Sequence, residues 1–135
     1  CGDLLYDKLK GAVIRMYDKL LEMEKSFFKH SFISDRNWLD AVLHKEFKEC
    51  GASGEIFGRG EVIADLLLCG GDRDIKIYNF ECSELVSGCW MVHYITKKGG
   101  KKYYRTSIWV TEKDPIQLIF HQASFLKTEI NLEES

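Results

Sequence analysis

An α+β fold, with helices first and an antiparallel sheet last, is predicted by three observations. Between Gly88 and Ser124 the chain reads GCWMVHYIT, KKGGKK, YYRTSIWV, TEKDP and IQLIFHQAS, three β-rich runs parted by two turn signals. From Leu5 to Phe27 apolar residues recur every three or four positions, the spacing of one helical stripe. No repeat, linker or low-complexity tract divides the 135 residues, so 1–135 reads as a single domain.

The first helix runs from Asp3, its candidate cap, through Leu5, Leu9, Val13, Met16, Leu20, Met23 and Phe27. Gly11 weakens it locally, and the stripe is read as core packed on the sheet rather than as a coiled-coil partner. Ser34 or Asp35 caps a second helix through Trp38, Leu39, Val42, Leu43 and Phe47, with His44 near its end as a hydrogen-bonding residue favoured by the helix dipole. Gly51 and Gly54 around Ser53 suggest a tight hairpin, and Glu49 and Ser53 share one side of it if the segment is extended. GRGEVIADLLL makes a third helix that ends at Gly70-Gly71. Ile75–Leu85 is a strand that feeds the meander, and residues 1–2 and the polar, acidic tail 127–135 are expected to fray.

Gly99-Gly100 suits a two-residue hairpin loop with positive φ, which pairs Lys98 with Lys101 and fixes the register outward. Tyr94 then faces Arg105, Val92 faces Ser107, and Trp90 faces Trp109. A turn centred on Lys113-Asp114 sets Trp109 opposite Leu118, Ser107 opposite Phe120, Arg105 opposite Gln122 and Thr106 opposite His121. Alternation sorts the meander into two faces. One carries Trp90, Val92, Tyr94, Arg105, Ser107, Trp109, Leu118, Phe120 and Gln122. The other carries Met91, His93, Ile95, Thr106, Ile108, Val110, Ile119 and His121. Both are apolar, so helices should cover one and a second copy of the chain the other.

The composition excludes some classes of function. A net charge of -2 gives no basic surplus for phosphate, so no nucleic-acid surface is expected. Lys97, Lys98, Lys101 and Lys102 surround a hairpin tip and read as a solvated edge. No run is long enough to span a membrane and no secretory leader is recognised, although a chain without an initial Met leaves a removed leader open. Five cysteines at irregular spacing, with no C-x-x-C, point away from disulfides and zinc and toward a reducing cytoplasm. The four histidines lack ligand spacing, and neither a metal nor a cofactor is expected.

WLDAVLHKEFKECGASGEIFGRGEVIADL (Trp38 to Leu66), YRTSIWV (Tyr104 to Val110) and IQLIFHQAS (Ile116 to Ser124) resemble the nuclear transport factor 2-like superfamily, also called the cone-like or SnoaL-like fold. The resemblance is to its branch of small stand-alone bacterial proteins of unknown function and covers nearly the whole chain. Its marks are an LLH-x-x-F-x-E-x-G-x-S-G pattern, with Val42-Leu43-His44 here, followed by R-x-S-x-W and F-H-Q; Ile116 stands where such proteins usually have Trp. The resemblance implies a strongly bent sheet wrapped around a conical cavity and closed by three helices, with the outer sheet face used for dimerisation. It makes Glu49, Ser53, Arg105, Ser107, Trp109 and Gln122 the recurring polar positions, with no chemical role attached.

Two functions of different class follow. The first is a small-molecule pocket lined by Glu49, Ser53, Trp90, Tyr94, Arg105, Ser107, Trp109 and Gln122. Catalytic members of the superfamily, such as ketosteroid isomerase and polyketide cyclases, put a base in the cone opposite hydroxyl donors, because moving a proton beside a carbonyl needs a base of tuned pKa and a stabilised oxyanion. Here Glu49 would be the base, Tyr94 or Ser107 the donor and Arg105 an anion clamp, in an isomerase, cyclase or hydrolase-like reaction. Against this stands a plug, a buried Glu49–Arg105 ion pair satisfied by Gln122 and Ser107. The second function is an assembly module, a homodimer through Met91, His93, Ile95, Thr106, Ile108, Ile119 and His121.

Overall fold

The computed structural model describes residues 2–135, with side chains from residue 4 onward. Cys1 and the capping role expected of the Asp3 side chain lie outside this set. The order is α1 (Gly2–Ser26), α2 (His30–Ile33), α3 (Arg36–Val42), β1 (Leu43–Cys50), β2 (Ile56–Gly58), α4 (Arg59–Leu67), β3 (Tyr78–Val86), β4 (Cys89–Lys98), β5 (Lys101–Val110) and β6 (Gln117–Phe125). The six strands form one sheet in the order β2-β1-β6-β5-β4-β3, antiparallel except where β1 runs parallel to β6. The fold is α+β, as expected, with the additional one-turn helix α2. Among the described residues no helix is long and apolar enough to cross a membrane.

The second helix is shorter than its apolar pattern suggests. Asp35 caps it, accepting the Trp38 N–H at 3.2 Å. It stops at Val42, because Leu43, the next residue, turns to extended backbone and begins β1. Leu43 and Phe47 are both buried, a spacing of four that reads as helical but is here met by an irregular strand. His44 is thus on a strand, not at a helix end. The hairpin around Ser53 forms, and α4 follows with the Gly58 N–H held by the Glu61 carboxylate at 3.3 Å.

Only the second half of the α1 stripe is core. Leu20 and Met23 are buried, whereas Leu5, Leu9 and Val13 are 60%, 59% and 51% exposed. A 25-residue helix is about 37 Å long and outruns the layer it packs on. The anchored half meets β3, where the Tyr17 ring stands edge-on to Phe80.

In the β4–β5 hairpin the expected register holds at every pair, with Gly99 and Gly100 at φ +58° and +78°. The β5–β6 ladder begins as expected, Trp109 opposite Leu118, but Ile108 then pairs with Phe120, leaving Ile119 as an extra residue. Beyond this bulge Ser107 faces His121, Thr106 faces Gln122 and Arg105 faces Ala123. A one-residue slip exchanges the faces of all that follows. His121 and Ala123 therefore enter the interior, while Gln122 is exposed on the far side.

The tail, expected to fray, folds back onto β3. The Asn79 N–H donates to the Glu133 carbonyl at 2.8 Å, and its side chain receives the Glu133 N–H and donates to the Asn131 carbonyl. Ser135 bonds to Ile77 and Phe80. Asn79 sits at φ +53°, which asparagine tolerates better than most residues. Replacing it (Asn79→Ala) removes two tail bonds and should cost about 1–2 kcal/mol, with amide exchange speeding at 131–135 and unchanged in β5. Equal protection of the tail in both proteins would contradict this account.

Candidate functional site

The concave side of the sheet is organised around Glu24. Helix α1 carries it four residues after Leu20 and four before Phe28, on the stripe that faces the core. It is only 2% exposed. Its carboxylate accepts the Tyr94 hydroxyl at 2.5 Å and the Trp109 indole N–H at 2.7 Å. These two donors come from neighbouring strands on the same face, so the helix and the sheet are joined at this one group.

A directed chain of hydrogen bonds leads from the site to Glu24. The Arg105 guanidinium can only donate, so His121 Nε2, 3.2 Å from Arg105 Nη1, accepts. His121 Nδ1 then carries the proton and donates to the Ser107 hydroxyl at 2.7 Å. Ser107, fully buried, is left to turn its own proton toward Glu24. The Glu24 pKa is raised by burial, against the lowering effect of Tyr94, Trp109, Ser107 and Arg105. Burial first, then the charges of Arg105 and Arg73, lower the His121 pKa to about 3, so its ring is neutral at pH 7. Tyr94 lies well above its ordinary value through burial and the nearby Glu24 charge, so it stays protonated as a donor.

Above this floor lies a cavity of about 230 Å³. Phe27, Phe28, Leu43, Phe47, Val62, Leu66 and Leu118 form its apolar wall, and Glu24, Glu49, Asp65, Cys69, Arg73, Tyr94, Arg105 and His121 supply its polar groups. Thr96 fixes Arg105 by accepting its Nε–H at 2.8 Å. Arg73 donates to the Phe27 carbonyl, and its Cζ lies 5.0 Å from the Phe28 ring centroid, with Arg105 Cζ at 5.9 Å. Among the described residues the ion pairs are Arg36–Asp40, Arg59–Asp40 and Lys76–Glu134, so neither cavity guanidinium is paired. The expected Glu49–Arg105 plug is not formed. Glu49 has its pKa raised by burial, opposed by the charges of Arg105 and Arg73.

Of the other expected pocket residues, Tyr94 lines the cavity, while Trp109 and Ser107 support its floor from below. Trp90 is buried in the core across from Trp109. Ser53 is on an exposed turn, where its hydroxyl accepts the Glu55 N–H at 3.4 Å. Gln122 is on the opposite face because of the bulge. Ile116 is buried in the core and is not among the residues that line this cavity. Glu24, Arg73 and His121 were missed as site residues. The one available signal was a carboxylate four residues from Leu20 and from Phe28 on a core stripe.

On the outer face His93 Nδ1 is 2.8 Å from the Thr106 hydroxyl and the His93 ring stacks on Tyr104. His121 does not join this row. Met91, Thr106, Ile108 and Ile119 are half-buried, whereas Ile95 is 1% exposed and so already covered within one chain. Among the described residues Cys50, Cys69, Cys82 and Cys89 are free thiols, and no three metal-ligating side chains converge.

No family model and no curated protein matches this chain. Solved structures do. A nuclear transport factor 2-like protein from Cytophaga hutchinsonii is 15% identical, with a TM-score of 0.58 over 81% of this chain and 97% of that one. The fold is the nuclear transport factor 2-like cone. A protein of unknown function in the DUF3225 family, from Pectobacterium atrosepticum, matches this cone with a TM-score of 0.65 at 16% identity, over 82% and 87% of the two chains. A cystatin-like fold protein from Burkholderia xenovorans matches at 0.59 and 11%, over 83% and 95%. With identities this low the likeness is one of fold.

His121 gives the site a pH signature. Its pKa falls from 6.5 in the unfolded chain to about 3, so the unfolded state binds the extra proton and stability is lost as pH drops between these values. At pH 4 the expected cost is about 3 kcal/mol. Glu24, with its pKa raised, acts in the opposite sense. The comparison that isolates His121 is urea unfolding of wild type and His121→Asn from pH 7 to pH 4. The variant should have the flatter profile, and parallel profiles would count against a buried neutral ring.

Proposed function

We propose that this chain binds a small organic acid, its apolar body in the 230 Å³ cavity and its carboxylate on Arg73 and Arg105. The observation that carries the reading is two guanidiniums at an apolar cavity, neither of them ion-paired among the described residues. Arginine forks suit a carboxylate geometrically, and Thr96 and His121 hold Arg105 in place before any ligand arrives. Glu49 and Asp65 in the same lining set a limit on affinity, since they repel the same anion.

Calorimetry with 3-phenylpropanoate and its neutral amide tests this. The acid should bind at least tenfold more tightly, about 1.4 kcal/mol, and Arg105→Gln should remove the difference. Equal binding of acid and amide would defeat the proposal. Isomerase, cyclase or hydrolase-like chemistry in this cavity would rely on Glu49, whose raised pKa suits a base at neutral pH. Any turnover should then vanish in Glu49→Gln while binding persists, and turnover insensitive to this change would exclude that chemistry.

Pairing of two copies through the outer face is a separate proposal, supported by half-buried Met91, Thr106, Ile108 and Ile119 on one surface. Ile108→Glu should convert a dimer to monomers by light scattering, and an unchanged mass would remove this reading.

A further inference from the structure

A second cavity, of about 250 Å³, lies against the first. Glu49, Arg73, Arg105 and His121 line both, so these four side chains form a collar between an inner and an outer chamber. The two chambers differ in charge. Inside the collar Arg73 and Arg105 are balanced by Glu24, Glu49 and Asp65 among apolar walls. Outside it Lys98, on the strand face of Tyr94 and Arg105, joins the two arginines, with Lys97 beside it at the rim, and Glu49 is the only acid in the lining.

None of these four cations is ion-paired among the described residues. Gathering them around one concavity costs self-repulsion unless an anion enters, and the concave wall focuses their field outward from the collar. Arg73 Nε is buried with no hydrogen-bond partner among the described residues. A buried donor of this kind calls for an acceptor, which an oxygen of a ligand at the collar would provide.

We propose that the outer chamber is a second anion subsite, so that the ligand is an organic acid carrying two anionic groups. The apolar body occupies the inner chamber, one carboxylate sits at the collar, and a second carboxylate or a phosphate-type group reaches Lys97 and Lys98. The two lysines at the start of the β4–β5 hairpin tip thereby belong to the site and are more than a solvated edge. This rests on the organic-acid reading above.

The test compares three probes by calorimetry: 3-phenylpropanoate, phenylsuccinate, which adds a carboxylate on the phenyl-bearing carbon, and 3-phenyl-3-phosphonopropanoate, which puts a phosphonate in place of that added carboxylate. In the wild-type protein at low salt, at least one of the doubly charged probes should bind about tenfold more tightly than 3-phenylpropanoate, and the advantage should shrink as salt is raised. The tighter of the two identifies the outer group. In the double variant Lys97→Gln, Lys98→Gln the advantage should fall to near onefold, with 3-phenylpropanoate bound as in wild type. Binding of 3-phenylpropanoate without any gain from a second charge, or a gain that survives in the double variant, overturns the second subsite and leaves the organic-acid reading standing. Failure of all three probes to bind overturns both.

Discussion

The carboxylate of Glu24 is the group on which the interior depends. A carboxyl group in a dry core is costly unless its oxygens are hydrogen-bonded, and here Tyr94 and Trp109 donate to them from two strands. Those aromatic residues are themselves bulky donors that need a buried acceptor. Helix, acid and sheet thus satisfy one another, which fixes how α1 lies across the concave face. Removing the acid would orphan both donors, so the arrangement is mutually required rather than a chance contact.

What lies above that floor follows from one extra residue. The bulge at Ile119 turns His121 inward, and His121 links Arg105 to Ser107 and so to the Glu24 cluster. Arg105 is held from a second side by Thr96. The result is a cation with a fixed orientation next to a neutral histidine, an arrangement that favours an incoming anion over protonation of the ring. Arg73, held at the end of α1 through Phe27 and Phe28, completes the collar. Organic-acid binding and the outer subsite are both extensions of this positioned pair of charges.

The similarity to nuclear transport factor 2-like and cystatin-like structures at 11–16% identity fits this division of labour. The likeness is one of fold, whereas the identity of the groups at the floor and collar is a matter for each sequence.

Sequence alone determined the α+β class, the long first helix, a cap at Ser34 or Asp35 and the β4–β5 register, because each is encoded by residues close together in the chain. Gly99-Gly100 fixes a turn, and period two then sorts ten residue pairs without further information. That register put Tyr94 and Arg105 on one face, and the resemblance to cone-fold proteins made that face, with Glu49, the lining of a cavity. Tertiary structure decided what local pattern leaves open. Leu43 and Phe47 are spaced like a helix but belong to a strand, because β6 offers a parallel partner. Gln122 and His121 exchanged faces because a bulge depends on the neighbouring ladders, not on the bulged residues themselves. The acid at the centre, Glu24, was hidden in a helical stripe, since its two partners lie 70 and 85 residues away and only folding brings them to it.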